Sequence, residues 1–174
     1  MSPTDPRWQA GLPPVLGPAP RVLILGSMPS VASLAARAYY AHPRNALWPV
    51  LGRLIGLDPT APYAERLDAL TAAGVGLWDV IGGCIREGSL DSAIAPDSIV
   101  VNDVAGLVRR APTIRTVITN GGLAARLYRR HLAAQLPTLT WHALPSTSPA
   151  NARGGIEAKV RAWAPLADAL KPPC

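Results

Sequence analysis

Two short stretches carry the side chains that could do chemistry, Gly26-Ser27-Met28-Pro29-Ser30 and Tyr39-Tyr40-Ala41-His42-Pro43-Arg44-Asn45. The first is a small-residue loop. The second supplies two aromatic rings, an imidazole and a carboxamide. Together they are the parts needed to hold a flat ring and set a water beside it. An amide does not titrate near neutrality, so Asn45 cannot act as a strong general base. It can hold a water in line with an electrophilic carbon and contribute through positioning. The run Val22-Leu23-Ile24-Leu25 just before the first stretch reads as a buried strand. Ligands of open α/β sheets bind beyond the carboxyl ends of the strands, which is where this chemistry falls.

Three other polar groups end comparable runs. Trp78-Asp79 closes a short strand pattern at 74–80, Asn120-Gly121-Gly122 follows one at 116–119, and Ser146-Thr147-Ser148 follows one at 138–144. If the strands are parallel, all four groups share one rim. That convergence is more specific than any single motif within it.

Helical patterns separate the strands. Leu47, Val50, Leu51 and Leu54 recur at helical spacing after Asn45, with Pro49 in the first turn, where its missing N–H is tolerated. Residues 62–72 form a second pattern, and 84–94 read as a loop with several polar side chains. Pro96-Asp97-Ser98 opens a helix predicted to run through Leu107. Another helix runs to His131, and the last covers 156–170 with a bend at Pro165. Alternation of strands and helices predicts a parallel sheet covered on both faces. Residues 1–20 are proline-rich and read as an irregular arm, 21–170 as one domain, and 171–174 as a tail.

Composition narrows the class. With 49% hydrophobic and 16% charged residues, the 174-residue chain can build a sizeable core and is too apolar for disorder. The net charge is +6, and only Lys159 and Lys171 are lysines. An arginine-rich surface suits a polyanion such as nucleic acid, and equally a solvated surface. Two cysteines, Cys84 and Cys174, make neither a disulfide framework nor a zinc or iron–sulfur set. No signal pattern or membrane-length apolar run is present, so a soluble, intracellular, cytoplasmic protein is expected. No phosphate-binding G-x-G-x-x-G or G-x-x-x-x-G-K-[ST] loop supports a nucleotide-binding reading.

The chain resembles the uracil-DNA glycosylase superfamily, and within it the hypoxanthine-DNA (deoxyinosine) glycosylase branch. The resemblance rests on Leu25-Gly26-Ser27-Met28-Pro29-Ser30, Tyr39 to Asn45 with Trp48, Trp78-Asp79-Val80, Gly88-Ser89-Leu90-Asp91, Asn120-Gly121, and Leu144 to Ala150. It implies a three-layer α/β/α fold with a central four-stranded parallel sheet. It implies hydrolysis of the N-glycosidic bond of a damaged base extruded from double-stranded DNA, without metal or other cofactor, by a monomer acting at the nucleoid. Uracil glycosylases place Asp or Asn where Met28 stands, and often His or Asn where Leu144 stands. A thioether cannot orient water, and Leu cannot donate to a leaving base. The branch attributes catalysis to the position of Asn45. His142, two residues before Leu144, is a weaker substitute.

By the same resemblance Tyr40 stacks on the base; by their side-chain chemistry and position Ser27, Met28, Asp79 and Asn120 are read as base-binding, and Ser146, Thr147, Ser148 and Arg153 as DNA contacts. Hypoxanthine is the expected base and xanthine the second; a uracil or mismatch enzyme and an inactive lesion-binding relative are the alternatives. Each residue also has a plain structural reading. Asn45 can be a helix cap worth about 1 kcal/mol, Tyr40 a rim tyrosine, Asn120 a strand terminus, and Ser148 with Pro149 a helix start. Tyr39 and His42 read as structural, and Arg126, Arg129 and Arg130 as a solvated helix face.

Overall fold

A computed structural model describes residues 5–172. In chain order it contains β1 (Trp8–Ala10), β2 (Val22–Gly26), α1 (Val31–Ala36), α2 (Leu47–Ile55), α3 (Tyr63–Ala72), β3 (Val75–Asp79) and β4 (Ile81–Ile85). Then come β5 (Val100–Val101), α4 (Val104–Arg110), β6 (Thr116–Asn120), α5 (Gly122–His131), β7 (Thr140–Leu144), α6 (Gly155–Ala162) and α7 (Ala164–Ala169). The start of the N-terminal arm and Cys174 of the tail lie outside the described residues.

The central sheet has the order β3-β2-β6-β7, and every pairing in it is parallel. Every residue of β2, β3 and β6 is buried. That is why these strands read as unbroken apolar runs: helices cover both faces, giving the expected three-layer α/β/α architecture. The register sets Gly26 opposite Asp79, Leu25 opposite Thr119, and Asn120 opposite Leu144. The chemistry-bearing ends therefore lie level along one edge.

Three expectations are corrected. Residues 84–94 are not simply a loop, because β4 pairs with β1 and β5 in a second, antiparallel sheet. Gly83 makes this possible, since a side chain there would run into the Trp8 ring. The predicted 96–107 helix is a 3-10 turn at Pro96–Ser98, the short β5, and then α4. The β-branched run Ile99-Val100-Val101 favours extended backbone. Asp103 is the real cap, its carboxylate accepting the Gly106 N–H at 2.8 Å. The arm is also less irregular than read, for it supplies β1 and a Val15–Leu77 bridge.

The C-terminal helix breaks at Trp163, and Pro165 falls in the first turn of α7. Trp163 is fully buried, and its indole N–H donates to the Pro145 carbonyl at 3.0 Å. This ties the last helices to the loop after β7. Trp163→Ala is expected to lower unfolding free energy by about 3–5 kcal/mol, measured by urea denaturation.

Candidate active site

The ends of β2, β3 and β6 and the loop after β7 enclose a cavity of about 350 Å³, within the range of small-molecule sites. Ser27, Met28, Tyr40, Asn45, Asp79, Asn120, Ser146, Thr147 and Ser148 all line it. Arg153 does not; it lies exposed in the turn before α6. His142 and Leu144 are also absent from the lining. His142 sits opposite Ile118, two positions short of the rim.

Asn45 lines the cavity and also braces the start of α2. Its Oδ1 accepts the Leu47 N–H at 2.9 Å, although Ala46 is the cap residue itself. A backbone N–H can only donate, so the amide orientation is fixed. One oxygen lone pair and the NH2 group are left for the cavity. His42 is a satisfied turn residue whose Nδ1 accepts the Arg44 N–H at 3.1 Å. Tyr39 is structural: its hydroxyl donates to the Leu12 and Pro13 carbonyls.

Tyr40 sits in the left-handed region at φ 55°, a genuine outlier for a bulky residue. Its ring is half-buried, while its hydroxyl is buried and has no hydrogen-bond partner. The hydroxyl lies near Asn120 without meeting bonding geometry. Burial and then the Asp79 charge raise its pKa far above the ordinary phenol value, so it is a neutral donor. Asp79 is buried, and its Oδ2 is likewise unpartnered. Burial lifts this carboxyl to about 7, against the pull of Arg86, with Asp91 adding to the rise and Tyr39 opposing it. Gly26 lies under both groups; a side chain there would collide with Asp79 Oδ1 and crowd the Tyr40 hydroxyl. Two unsatisfied buried groups lining one cavity require an explanation, and a polar ligand edge supplies one.

Thr147 departs from the expected DNA contact. It is buried, and three polar groups are committed. Its N–H donates to Asn120 Oδ1 at 2.9 Å, its hydroxyl accepts from Asn120 Nδ2 at 2.9 Å, and its carbonyl accepts the Ala46 N–H at 2.9 Å. The Asn120 amide therefore serves first to hold this loop, with one N–H and one lone pair left over. Ser148 opens a 3-10 turn as read, accepting the Ala150 N–H.

Sequence reasoning missed two cations and a wall. Lys159 is buried behind the 146–151 loop and donates to the carbonyls of Ser146 (2.8 Å) and Asn151. Arg86 is buried too, bonded to Gln9 Oε1 (2.7 Å) and to the Pro29 carbonyl (2.6 Å) beneath the 26–30 loop. An arginine directly after the apolar run of β4 was the available signal. Ser89, Leu90, Asp91 and Ser92 form the missing wall. Ser27 Oγ donates to Asp91 Oδ1 at 2.7 Å, and the Val31 N–H to Ser89 Oγ at 2.9 Å. Among the described residues, no group of three or more His, Cys, Asp or Glu side chains is placed to hold a metal.

The family model described as Uracil DNA glycosylase superfamily matches residues 13–167. A protein of Methanosarcina acetivorans named hypoxanthine DNA glycosylase is 37% identical over 144 residues, 82% of this chain and 88% of that protein. One of the same name from Methanosarcina barkeri is 40% identical over 112 residues, 64% of this chain and 70% of that protein. A solution NMR structure of a candidate uracil DNA glycosylase from Methanosarcina acetivorans superposes with a TM-score of 0.80 at 34% identity. It covers 94% of this chain and 98% of that one.

The buried carboxyl has a consequence for stability. An ordinary aspartate ionises near 3.8, and Asp79 near 7 in the folded chain. Between those values the folded state binds the extra proton, so the contribution of Asp79 falls as pH rises from about 4 to about 7, then levels off. Asp79→Asn is expected to flatten unfolding free energy against pH across that window, measured by denaturant titration at several pH values.

Proposed function

The chain belongs to the uracil DNA glycosylase superfamily, and we propose that within it the protein is a monofunctional hypoxanthine-DNA glycosylase. The observation that carries this reading is the meeting of three groups in one cavity at the strand ends: the Asn45 amide, the Tyr40 ring and the unpartnered Asp79 carboxyl. The names of the two Methanosarcina relatives support the same activity.

The substrate is double-stranded DNA with a deaminated purine. Extrusion of that nucleotide costs a few kcal/mol of stacking and pairing. In the cavity the Tyr40 ring stacks on the base, and Ser27 and Met28 complete the walls. Below about pH 7 Asp79 is neutral, so its C=O accepts the N1–H of hypoxanthine and its O–H donates to O6. An ionised carboxylate would accept only. The Tyr40 hydroxyl and the free half of the Asn120 amide supply further bonds to the base edge.

Asn45 holds the water with its remaining oxygen lone pair. As the C1′–N9 bond breaks, its electron pair leaves with the base, and an oxocarbenium-like sugar develops. The water oxygen then bonds to C1′ and gives up a proton, which passes through solvent to the departing purine anion, leaving the free base and an abasic sugar. Bond breaking runs ahead of attack, so a neutral amide suffices as the positioning group. Ser146, Ser148 and Arg153 contact the DNA backbone; Thr147 fixes their loop from inside. The protein acts as a monomer within one domain.

Duplexes bearing hypoxanthine, xanthine, uracil or a G:T mismatch, treated with the protein and then alkali, test the reading. Cleavage is expected at hypoxanthine and more weakly at xanthine. Asn45→Ala is expected to lower the rate at least about 100-fold. Strong cleavage at uracil with none at hypoxanthine overturns the substrate; undiminished activity in Asn45→Ala overturns the catalytic residue.

A further inference from the structure

We propose that the edge of the central sheet opposite the cavity is a second binding surface for duplex DNA, one that requires neither a lesion nor an extruded base. The inference goes beyond the reading of the cavity and does not use it.

Charge is unevenly divided along the chain. Of 17 Lys and Arg and 11 Asp and Glu residues, the segment 104–156 holds seven arginines and no acidic residue, which leaves ten basic against eleven acidic residues elsewhere. The excess positive charge of the protein therefore resides in this one segment. The fold then sorts it further. In a parallel sheet a crossover helix ends at the edge where the next strand begins, and here that edge lies away from the cavity. Helix α4 ends with Arg109 and Arg110 and leads into β6; α5 ends with Arg129, Arg130 and His131 and leads into β7. Both crossovers run in the same direction across the sheet, so right-handed connection packs α4 and α5 on one face. Arg21 and Arg115 stand just before β2 and β6 at the same edge, where the Arg115 N–H donates to the Arg21 carbonyl at 2.9 Å.

No carboxylate neutralises these side chains. Arg109, Arg110, Arg115, Arg129 and Arg130 are exposed, and Arg21 is half-buried. The salt bridges among the described residues all lie elsewhere. Cations in the last turn of a helix complement its dipole, which accounts for the pairs that end α4 and α5. It accounts neither for Arg21 and Arg115, which precede strands, nor for the missing acidic residues. Helix α3, by contrast, mixes Glu65, Arg66 and Asp68.

Exposed arginines without counter-charges suit a polyanion, and the planar fork of arginine fits phosphate oxygens in pairs. DNA is the polyanion of the superfamily to which the chain belongs. A duplex seated over the cavity cannot also reach this edge. The five-residue strands hold the two edges about 17 Å apart, and duplex DNA stays straight over far longer distances, with a persistence length of about 150 bp. The basic edge therefore takes a separate segment, and the protein holds two segments at once.

The test mixes the protein with two short duplexes bearing different fluorophores, one containing hypoxanthine and one free of lesions. Complexes containing both are counted by two-colour single-molecule coincidence. The proteins compared are wild type, Arg109→Gln with Arg110→Gln, Arg129→Gln with Arg130→Gln, all four changes together, and Arg37→Gln with Arg161→Gln as the control for lost charge. Wild type is expected to hold both duplexes, and to release the lesion-free one steeply as salt is raised. The fourfold variant is expected to hold the lesion-free duplex at least about tenfold more weakly, with a salt slope smaller by about 3–4. It still binds the hypoxanthine duplex, which shows that it is folded. Each pair alone gives part of that loss and decides the matter if the fourfold variant does not fold; the control gives none. One duplex per protein in wild type overturns the proposal. So does undiminished capture of the lesion-free duplex in the fourfold variant, the result expected of a dimer that bridges through two cavities. A wild type that holds both duplexes but cleaves neither overturns the hydrolytic reading alone and still supports the second surface.

Discussion

Parallel pairing in register is the constraint on which the site depends. Because Gly26 lies level with Asp79, and Asn120 with Leu144, the chain leaves the sheet four times along one edge. Loops released that way would still move independently. Thr147 prevents it, since its amide and hydroxyl grip the end of β6 through Asn120 while its carbonyl grips the start of α2 through Ala46. One buried threonine thus links the loop after β7 to the residue beside Asn45. Preorganisation of this kind is what a positioning mechanism requires, because small misplacements are costly in rate.

The electrostatics follow an uncommon rule. The salt bridges among the described residues, Arg7–Asp5, Arg53–Glu157 and Lys171–Asp168, lie at the surface. The two buried cations, Arg86 and Lys159, are bonded to carbonyl and amide oxygens rather than carboxylates. Neither charge is cancelled by direct ion pairing, and the buried Arg86 Nη1 has no hydrogen-bond partner. Each lies beneath a loop that flanks the cavity. Asp79 is nevertheless held protonated well above the ordinary carboxylate range, because its burial outweighs the pull of Arg86.

The central sheet was legible because strands buried on both faces leave continuous apolar runs, and their ends stand out as polar breaks. Asp79 was legible for the same reason, whereas Asn45 and Tyr40, beyond α1, were singled out by residue type and by the family resemblance. The small sheet was not: β1 and β5 have 3 and 2 residues, too short for periodicity, and β4 is held by Trp8 and its strand, far along the chain. Ser98 next to Pro96 imitated a helix start, and the true cap at Asp103 lay beyond a β-branched interruption. Thr147 and Asn120 looked like surface and pocket chemistry because sequence gives residue type without direction. Only the folded loop shows that each is spent mainly on the other.

Tyr40 carries a tension that its surroundings do not relieve. Its left-handed backbone at φ 55° is a property of the main chain, so any L-residue placed there inherits the penalty whatever ring it bears. Glycine would relax it, yet glycine would strip the hollow of its flat wall. At this position thermodynamic robustness and the proposed stacking role favour opposite residues. Selection purely for thermal resistance would therefore be drawn to codon 40 and would remove the ring from the cavity wall as it succeeded.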